Sequence, residues 1–279
     1  MSHLRNLLHK FSEPGQGRSA AAVASVAESG IAPSSVAAAT SPLPEFSVEE
    51  AHFTPEDRLV FHSDPRGPAA DRFRLLRMRL KDQWKAGKLK KLLITGPLAR
   101  EGKSTVVLNL ATALAERGKR TVLVIEGDLH HSSVTEILHL KPWAGLTECL
   151  VDETFSPLSA IRRIEPFGWH LLPAGEPRRN ATELLQTPAL GHVMRQLAPC
   201  FDWILIDSPP VLALTDSLSL QQHADGSLLV VRAGRTARET VEQTIELLGK
   251  KNILAIVLNG VQASDHDYYR YYDSSHTND

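Results

Sequence analysis

The apolar run 92–95 leads without interruption into Gly96-Pro97-Leu98-Ala99-Arg100-Glu101-Gly102-Lys103-Ser104-Thr105, and good helix formers follow to about residue 117. A buried strand, a glycine-bearing loop ending in Gly-Lys-Ser-Thr and a helix make one unit that few folds accommodate. At such a junction the first backbone N–H groups of the helix have no intrahelical partners and carry the positive end of its dipole, so they suit phosphate. Lys103 has the length and charge to reach β and γ oxygens, and the Ser104 hydroxyl suits Mg²⁺. Gly102 leaves room for close approach of the phosphate. The loop residues Gly96, Glu101, Gly102, Lys103, Ser104 and Thr105 are therefore expected to bind ATP with Mg²⁺. Five residues, not four, separate Gly96 from Gly102, which places Pro97 where the first glycine usually stands.

Further apolar runs at 121–125, 169–172, 203–206, 228–231 and 253–258 alternate with helical stretches at 103–117, 190–197 and 237–250. Runs rich in Ile, Leu and Val that are apolar on both faces, with helices between them, describe a parallel sheet covered on both sides. The expected fold is α/β and doubly wound, of the P-loop NTPase type, and 279 residues at 42% hydrophobic suffice for one such domain. Ahead of it, the apolar residues from Asp71 to Leu80 with interspersed arginines predict a basic amphipathic helix ending near Gly87.

Two later runs end in acid. One closes as Glu126-Gly127-Asp128-Leu129 and another as Asp207-Ser208-Pro209-Pro210. In a parallel sheet the carboxyl ends of neighbouring strands converge on the crevice where ligands bind. Asp207 is suited to the Mg²⁺ shell, and Asp128 to placing the metal or accepting the proton of an incoming hydroxyl. His130 and His131 follow at once, but adjacent histidines seldom address one metal, and they are read as solvated loop residues.

The termini differ in character. Residues 12–50 are rich in Ala, Ser, Pro and Gly, and 1–50 is expected to form a disordered arm, with a domain at 51–263 and a flexible tail at 264–279. All four tyrosines, Tyr268, Tyr269, Tyr271 and Tyr272, fall in that tail among aspartates, where burial does not explain them. Charges nearly balance, 31 Lys+Arg against 32 Asp+Glu, which gives no overall field for nucleic acid. No apolar run approaches the ~20 residues of a membrane span, and no signal peptide opens the chain, so a soluble cytoplasmic protein is expected. Cys149 and Cys200 lack metal spacing and read as reduced thiols.

Together these segments resemble the cytoplasmic bacterial tyrosine autokinases, over about residues 59–272. Asp71, Arg74 and Arg77 resemble the family's Glu-x-x-Arg-x-x-Arg ring-forming helix, with Asp for Glu. Glu126-Gly127-Asp128 resembles its second Walker motif, usually Asp-x-Asp. Leu172-Pro173-Ala174-Gly175, Asp207-Ser208-Pro209-Pro210 and Val257-Leu258-Asn259-Gly260 resemble further segments of it. The resemblance implies catalytic roles for Lys103, Glu126, Asp128 and Asp207, a place near the base for Asn259, and oligomerisation through Asp71, Arg74 and Arg77. It implies phosphorylation of the tail tyrosines in a neighbouring subunit of a homo-oligomeric ring, and control of capsule or exopolysaccharide polymerisation and export. It further implies recruitment to the inner face of the plasma membrane by the cytosolic segment of a transmembrane polysaccharide co-polymerase, and a cognate tyrosine phosphatase.

Departures accompany the match. Glu126 adds a methylene, His130 and His131 stand where arginines are common, and Ala99-Arg100 replace Pro-Gly. Two alternatives follow: a partitioning-type switch ATPase, or a weakened adaptor of an export complex. The first carries an extra lysine five positions before the loop lysine, where this chain has Leu98.

Overall fold

In this computed structural model the described residues are 24–25 and 44–261. They form a sheet of nine strands: β1 (Ala24–Ser25), β2 (Ser47–Glu50), β3 (Lys91–Thr95), β4 (Val122–Glu126), β5 (Arg162–Glu165), β6 (Trp169–Leu172), β7 (Trp203–Asp207), β8 (Gly226–Arg232) and β9 (Ile253–Asn259). Across the sheet the order is β1-β9-β8-β3-β7-β4-β6-β5-β2. From β9 to β6 all six strands pair in parallel, and these are the six apolar runs of the sequence. β1 lies antiparallel to β9, while β5 is antiparallel to β6 and parallel to β2. The chain therefore has the doubly wound, mostly parallel sheet that its pattern predicts.

Alternate residues of each central strand feed opposite cores, which is why the runs are apolar throughout. Leu92 and Ile94, Val122 and Val124, Trp203 and Leu205, and Leu228 and Val230 face the helices Pro68–Lys85 and Lys103–Ala115. Leu93, Leu123, Ile125, Ile204 and Ile206 point the other way, toward the helices Leu146–Val151, Ala181–Leu185 and Pro188–Leu197. Leu229 and Val231 meet the helix Arg238–Leu248 in a smaller cluster. A leucine buried in this way leaves a cavity when truncated to alanine, at a cost of about 2–5 kcal/mol.

The helix Pro68–Lys85 starts with proline in its first turn and ends before Gly87, whose φ is 69°. Leu76 and Leu80 are buried, and Trp84 stacks on Trp203 while donating from Nε1 to the Asp202 carbonyl at 2.9 Å. Of the residues expected to close a ring, Arg74 is hydrogen-bonded to Asp71 at 2.7 Å and to the Pro65 carbonyl, and Arg77 donates to the Ala113 carbonyl at 3.2 Å. Asp71 is exposed on the outer side of this helix together with two apolar side chains, Leu75 and Met78.

The N-terminal arm expected to reach residue 50 stops short of it. Phe46 packs edge-on against His170, and Ser47–Glu50 pair with β5, where Arg162 meets Glu49 at 2.6 Å. The sequence Ser-Val-Glu-Glu has no apolar run to mark a strand; pairing at the sheet edge makes it one. The rest of residues 1–43 and the tail with Tyr268, Tyr269, Tyr271 and Tyr272 lie outside the described residues.

Candidate active site

The loop after β3 is fixed from two sides. Gly102 caps the helix Lys103–Ala115 in a left-handed conformation, φ 87° and ψ 29°, which glycine adopts without strain. Phosphate clearance is not the only reason for glycine here, since an added Cβ would also collide with the Asn259 amide. That amide donates through Nδ2 to the Glu101 carbonyl at 2.9 Å. The Glu101 side chain is buried and accepts from the Arg232 backbone N–H and, at 2.7 Å, from the Thr236 hydroxyl. Glu101 and Asn259, both expected to bind nucleotide, thus hold the loop to β9 and to the segment following β8. At Gly96 a Cβ would come within 2.7 Å of the Val230 carbonyl oxygen, so the loop lies against β8 with no space for a side chain.

The acids converge on the same edge. Neighbouring strands bring Ile94 beside Asp207 and Asp207 beside Glu126, so the carboxyl ends of β3, β7 and β4 adjoin. Lys103 is buried, its Nζ 3.4 Å from the Leu98 carbonyl. Burial lowers its pKa, while the charges of Asp207, Asp128 and Glu101 oppose that shift. Asp207 is 1% exposed, and burial raises its carboxyl from 3.8 to about 7 against the Ser104 hydrogen bond and the charge of Lys103. Its Oδ1 is buried without a hydrogen-bond partner among the described residues.

An orphaned carboxylate oxygen beside the Ser104 hydroxyl, in front of a phosphate loop, is a donor set that fits Mg²⁺. Hard cations take oxygen ligands, and phosphates and water commonly complete the shell. Among the described residues no group of three or more His, Cys, Asp or Glu gathers as a metal site.

Asp128 is half-buried, which raises its pKa, and its Oδ1 accepts from the backbone N–H groups of His131 at 3.0 Å and His130 at 3.2 Å. Glu126 is oriented differently. Its Oε1 accepts from the Val134 and Thr135 amides at 2.7 and 3.1 Å, and its Oε2 from the Thr135 hydroxyl at 2.7 Å and the Ala174 amide at 3.1 Å. Four donors leave that carboxylate anchoring the segments after β4 and β6, not facing a substrate as its sequence position suggested.

Beside the loop lies a cavity of about 420 Å³, lined among others by Phe73, Gly102, Thr105, Asn109, Arg232 and Asn259. Asn109 holds one wall in place: its Oδ1 accepts from the Val60 amide at 2.8 Å and its Nδ2 donates to the Arg58 carbonyl at 3.0 Å. His130 is not a free loop residue. Its Nε2 lies 3.2 Å from Oδ2 of Asp216, which is fully buried. The two are 86 positions apart and no local pattern joins them, so sequence reasoning had no signal for the contact.

Comparison with known proteins agrees with this geometry. Residues 101–254 match the family model described as an AAA domain. The tyrosine-protein kinase YwqD of Bacillus subtilis is 30% identical over 216 residues, covering 77% of this chain and 90% of that protein. The succinoglycan biosynthesis transport protein ExoP of Rhizobium meliloti is 30% identical over 217 residues, 76% of this chain but only 27% of ExoP. Among solved structures, the kinase domain of the Escherichia coli tyrosine kinase ETK superposes with a TM-score of 0.69 at 25% identity, covering 74% of this chain and 81% of that one.

Proposed function

The chain belongs to the bacterial tyrosine-protein kinase family and is a protein-tyrosine kinase, and from this premise we propose that it transfers phosphate from ATP to its own C-terminal tyrosines. The observation that carries the reading is the shared edge of β3, β7 and β4, where Lys103, Asp207 and Asp128 lie within electrostatic reach of one another. The cavity beside Gly102 and Asn259 receives the adenosine, which directs the phosphates over the loop amides and Lys103. Ser104 and Asp207 would hold Mg²⁺, which would supply charge neutralisation for the phosphates.

With both backbone amides on Oδ1 of Asp128, its Oδ2 takes the phenolic proton. The tyrosine oxygen then bonds to the γ phosphorus as the bond from phosphorus to the β-phosphate oxygen breaks, leaving ADP. The acceptors are Tyr268, Tyr269, Tyr271 and Tyr272 of a neighbouring subunit in a homo-oligomer assembled through the Asp71, Arg74 and Arg77 helix. Each phosphate adds about −1.5 to −2 charge next to the tail aspartates, and repulsion expels the modified tail and opens the ring.

ExoP is a succinoglycan biosynthesis transport protein, and we assign this kinase to control of exopolysaccharide polymerisation and export. Among the described residues no helix is long and apolar enough to cross a membrane. Recruitment to the inner membrane face accordingly rests on a transmembrane co-polymerase partner, and a phosphatase resets the tail.

The test is incubation of the purified chain with ATP and Mg²⁺ followed by mass spectrometric mapping. Phosphate is expected on residues 268–272 and absent from Lys103→Met. ATP hydrolysis without tyrosine phosphate would indicate a switch ATPase, and nucleotide binding with neither an adaptor.

A further inference from the structure

The short helix Asp216–Gln221 touches both acidic strand ends at once. On the β7 side, Ser217 donates to the Pro209 carbonyl at 2.6 Å and lies 3.2 Å from the Ser208 hydroxyl, directly after Asp207. On the β4 side, the preceding residue Asp216 meets the His130 ring, and the backbone N–H of His130 is in turn bonded to Asp128. Two adjacent residues of one helix therefore contact the turn after each acid. Gly127 shows how closely the parts fit: its N–H donates to the Asp207 carbonyl at 2.8 Å, and a Cβ there would come within 2.8 Å of Leu220 in the same helix.

Asp216 is fully buried, and its Oδ1 has no hydrogen-bond partner among the described residues. Keeping a carboxylate there is unfavourable unless its one partner contributes, and His130 is that partner. The neighbouring His131 is also exposed and meets Asp128 through its backbone N–H.

We propose that Asp216 is a positioning residue for the phosphoryl transfer, acting on Asp128 through His130. The Asp216 carboxylate fixes the imidazole, the fixed ring holds the 128–131 turn, and the turn amides of His130 and His131 orient the Asp128 carboxylate toward Lys103. Ser217 ties the same helix to the Asp207 turn, so the two acids keep one mutual spacing. This inference rests on the reading of Asp128 as a group that faces the reacting atoms.

The test uses the full chain with Asp216→Asn, His130→Gln, the double variant and His130→Arg, which restores a donor long enough to reach Asp216. Displacing a reacting group by about an ångström costs up to about 100-fold, so each single variant is expected to lower kcat for tail phosphorylation by about 10-fold or more, with KM for ATP within about twofold. The double variant is expected to be no slower than the slower single variant, because both break one chain of contacts. His130→Arg is expected within about threefold of the unmodified protein.

Without nucleotide or metal, hydrogen exchange at the amides of His130 and His131 is expected to accelerate about 10-fold in Asp216→Asn and His130→Gln but not in His130→Arg. Multiplying losses in the double variant, unchanged exchange, or full activity in His130→Gln would overturn the proposal. If Asp216→Asn does not fold, His130→Gln and His130→Arg, changed at an exposed ring, still decide it. If tail tyrosines prove not to be the acceptors, the exchange measurement stands independently of that result.

Discussion

Asp207 is the residue at which the fold and the chemistry conflict most, and removing its charge is expected to stabilise the nucleotide-free protein. Its carboxyl titrates at about 7 in the folded chain against 3.8 as its ordinary value, with burial as the main cause. The folded state therefore retains a proton between those values that the unfolded state has released, so stability falls as pH rises through this window. Above pH 7 the full penalty is present, about 4 kcal/mol at about 1.36 kcal/mol per tenfold change in affinity. Asp207→Asn removes it with little change of shape. The attraction of Lys103 is already contained in that value, so the gain is about 4 kcal/mol. For a domain of this size that raises the unfolding midpoint by about 8–16 °C at pH 8, and the advantage shrinks as pH falls, toward zero near pH 4. Calorimetric or circular dichroism melts of both proteins, free of nucleotide and Mg²⁺, measure it. An Asn variant no more stable than the parent at pH 8, or an advantage independent of pH, would refute the reasoning. Tyrosine phosphorylation is expected to be lost in the same variant.

Gly102→Ala puts a methyl group against the Asn259 amide at a left-handed φ, and calorimetry is expected to show ATP affinity lowered about 10-fold. The same change in an Asn259→Ala background removes the collision and is expected to cost less. Glu126→Ala leaves the buried amides of Val134, Thr135 and Ala174 without their acceptor, and is expected to destabilise by about 3–5 kcal/mol, read as a midpoint lowered by roughly 10 °C.

What the sequence disclosed divides along a physical line. The six parallel strands were legible because burial on both faces writes Ile, Leu and Val into every position. β2 and β5, Ser-Val-Glu-Glu and Arg-Arg-Ile-Glu, were not, because they become strands through edge pairing and carry solvated charges. The positions of Lys103, Ser104, Asp128 and Asp207 were legible since each stands at or just past the end of a strand, and parallel register then brings the strand ends together. Asp216 and the tie to His130 were hidden, for a contact across 86 positions leaves no periodicity to read. Glu101 and Asn259 read from the sequence as nucleotide-binding, and in the fold both brace the loop, a distinction that sequence spacing does not carry.

That distinction also settles how to weigh Glu126. Read along the chain, a glutamate in place of aspartate moves a carboxylate by about an ångström, enough to impair transfer chemistry if that carboxylate faces the substrate. In the fold the extra methylene carries the carboxylate into a buried nest of four donors from the segments after β4 and β6. A group so engaged has little lone-pair capacity left for a metal or a proton. Burial raises its pKa, and those four hydrogen bonds oppose the shift. The substitution therefore bears on how firmly the end of β4 is held, and the roles proposed for Asp128 in proton acceptance and Asp207 in metal binding do not depend on it. A glutamate at this position is compatible with a working kinase so long as the 128–131 turn keeps Asp128 in register with Lys103.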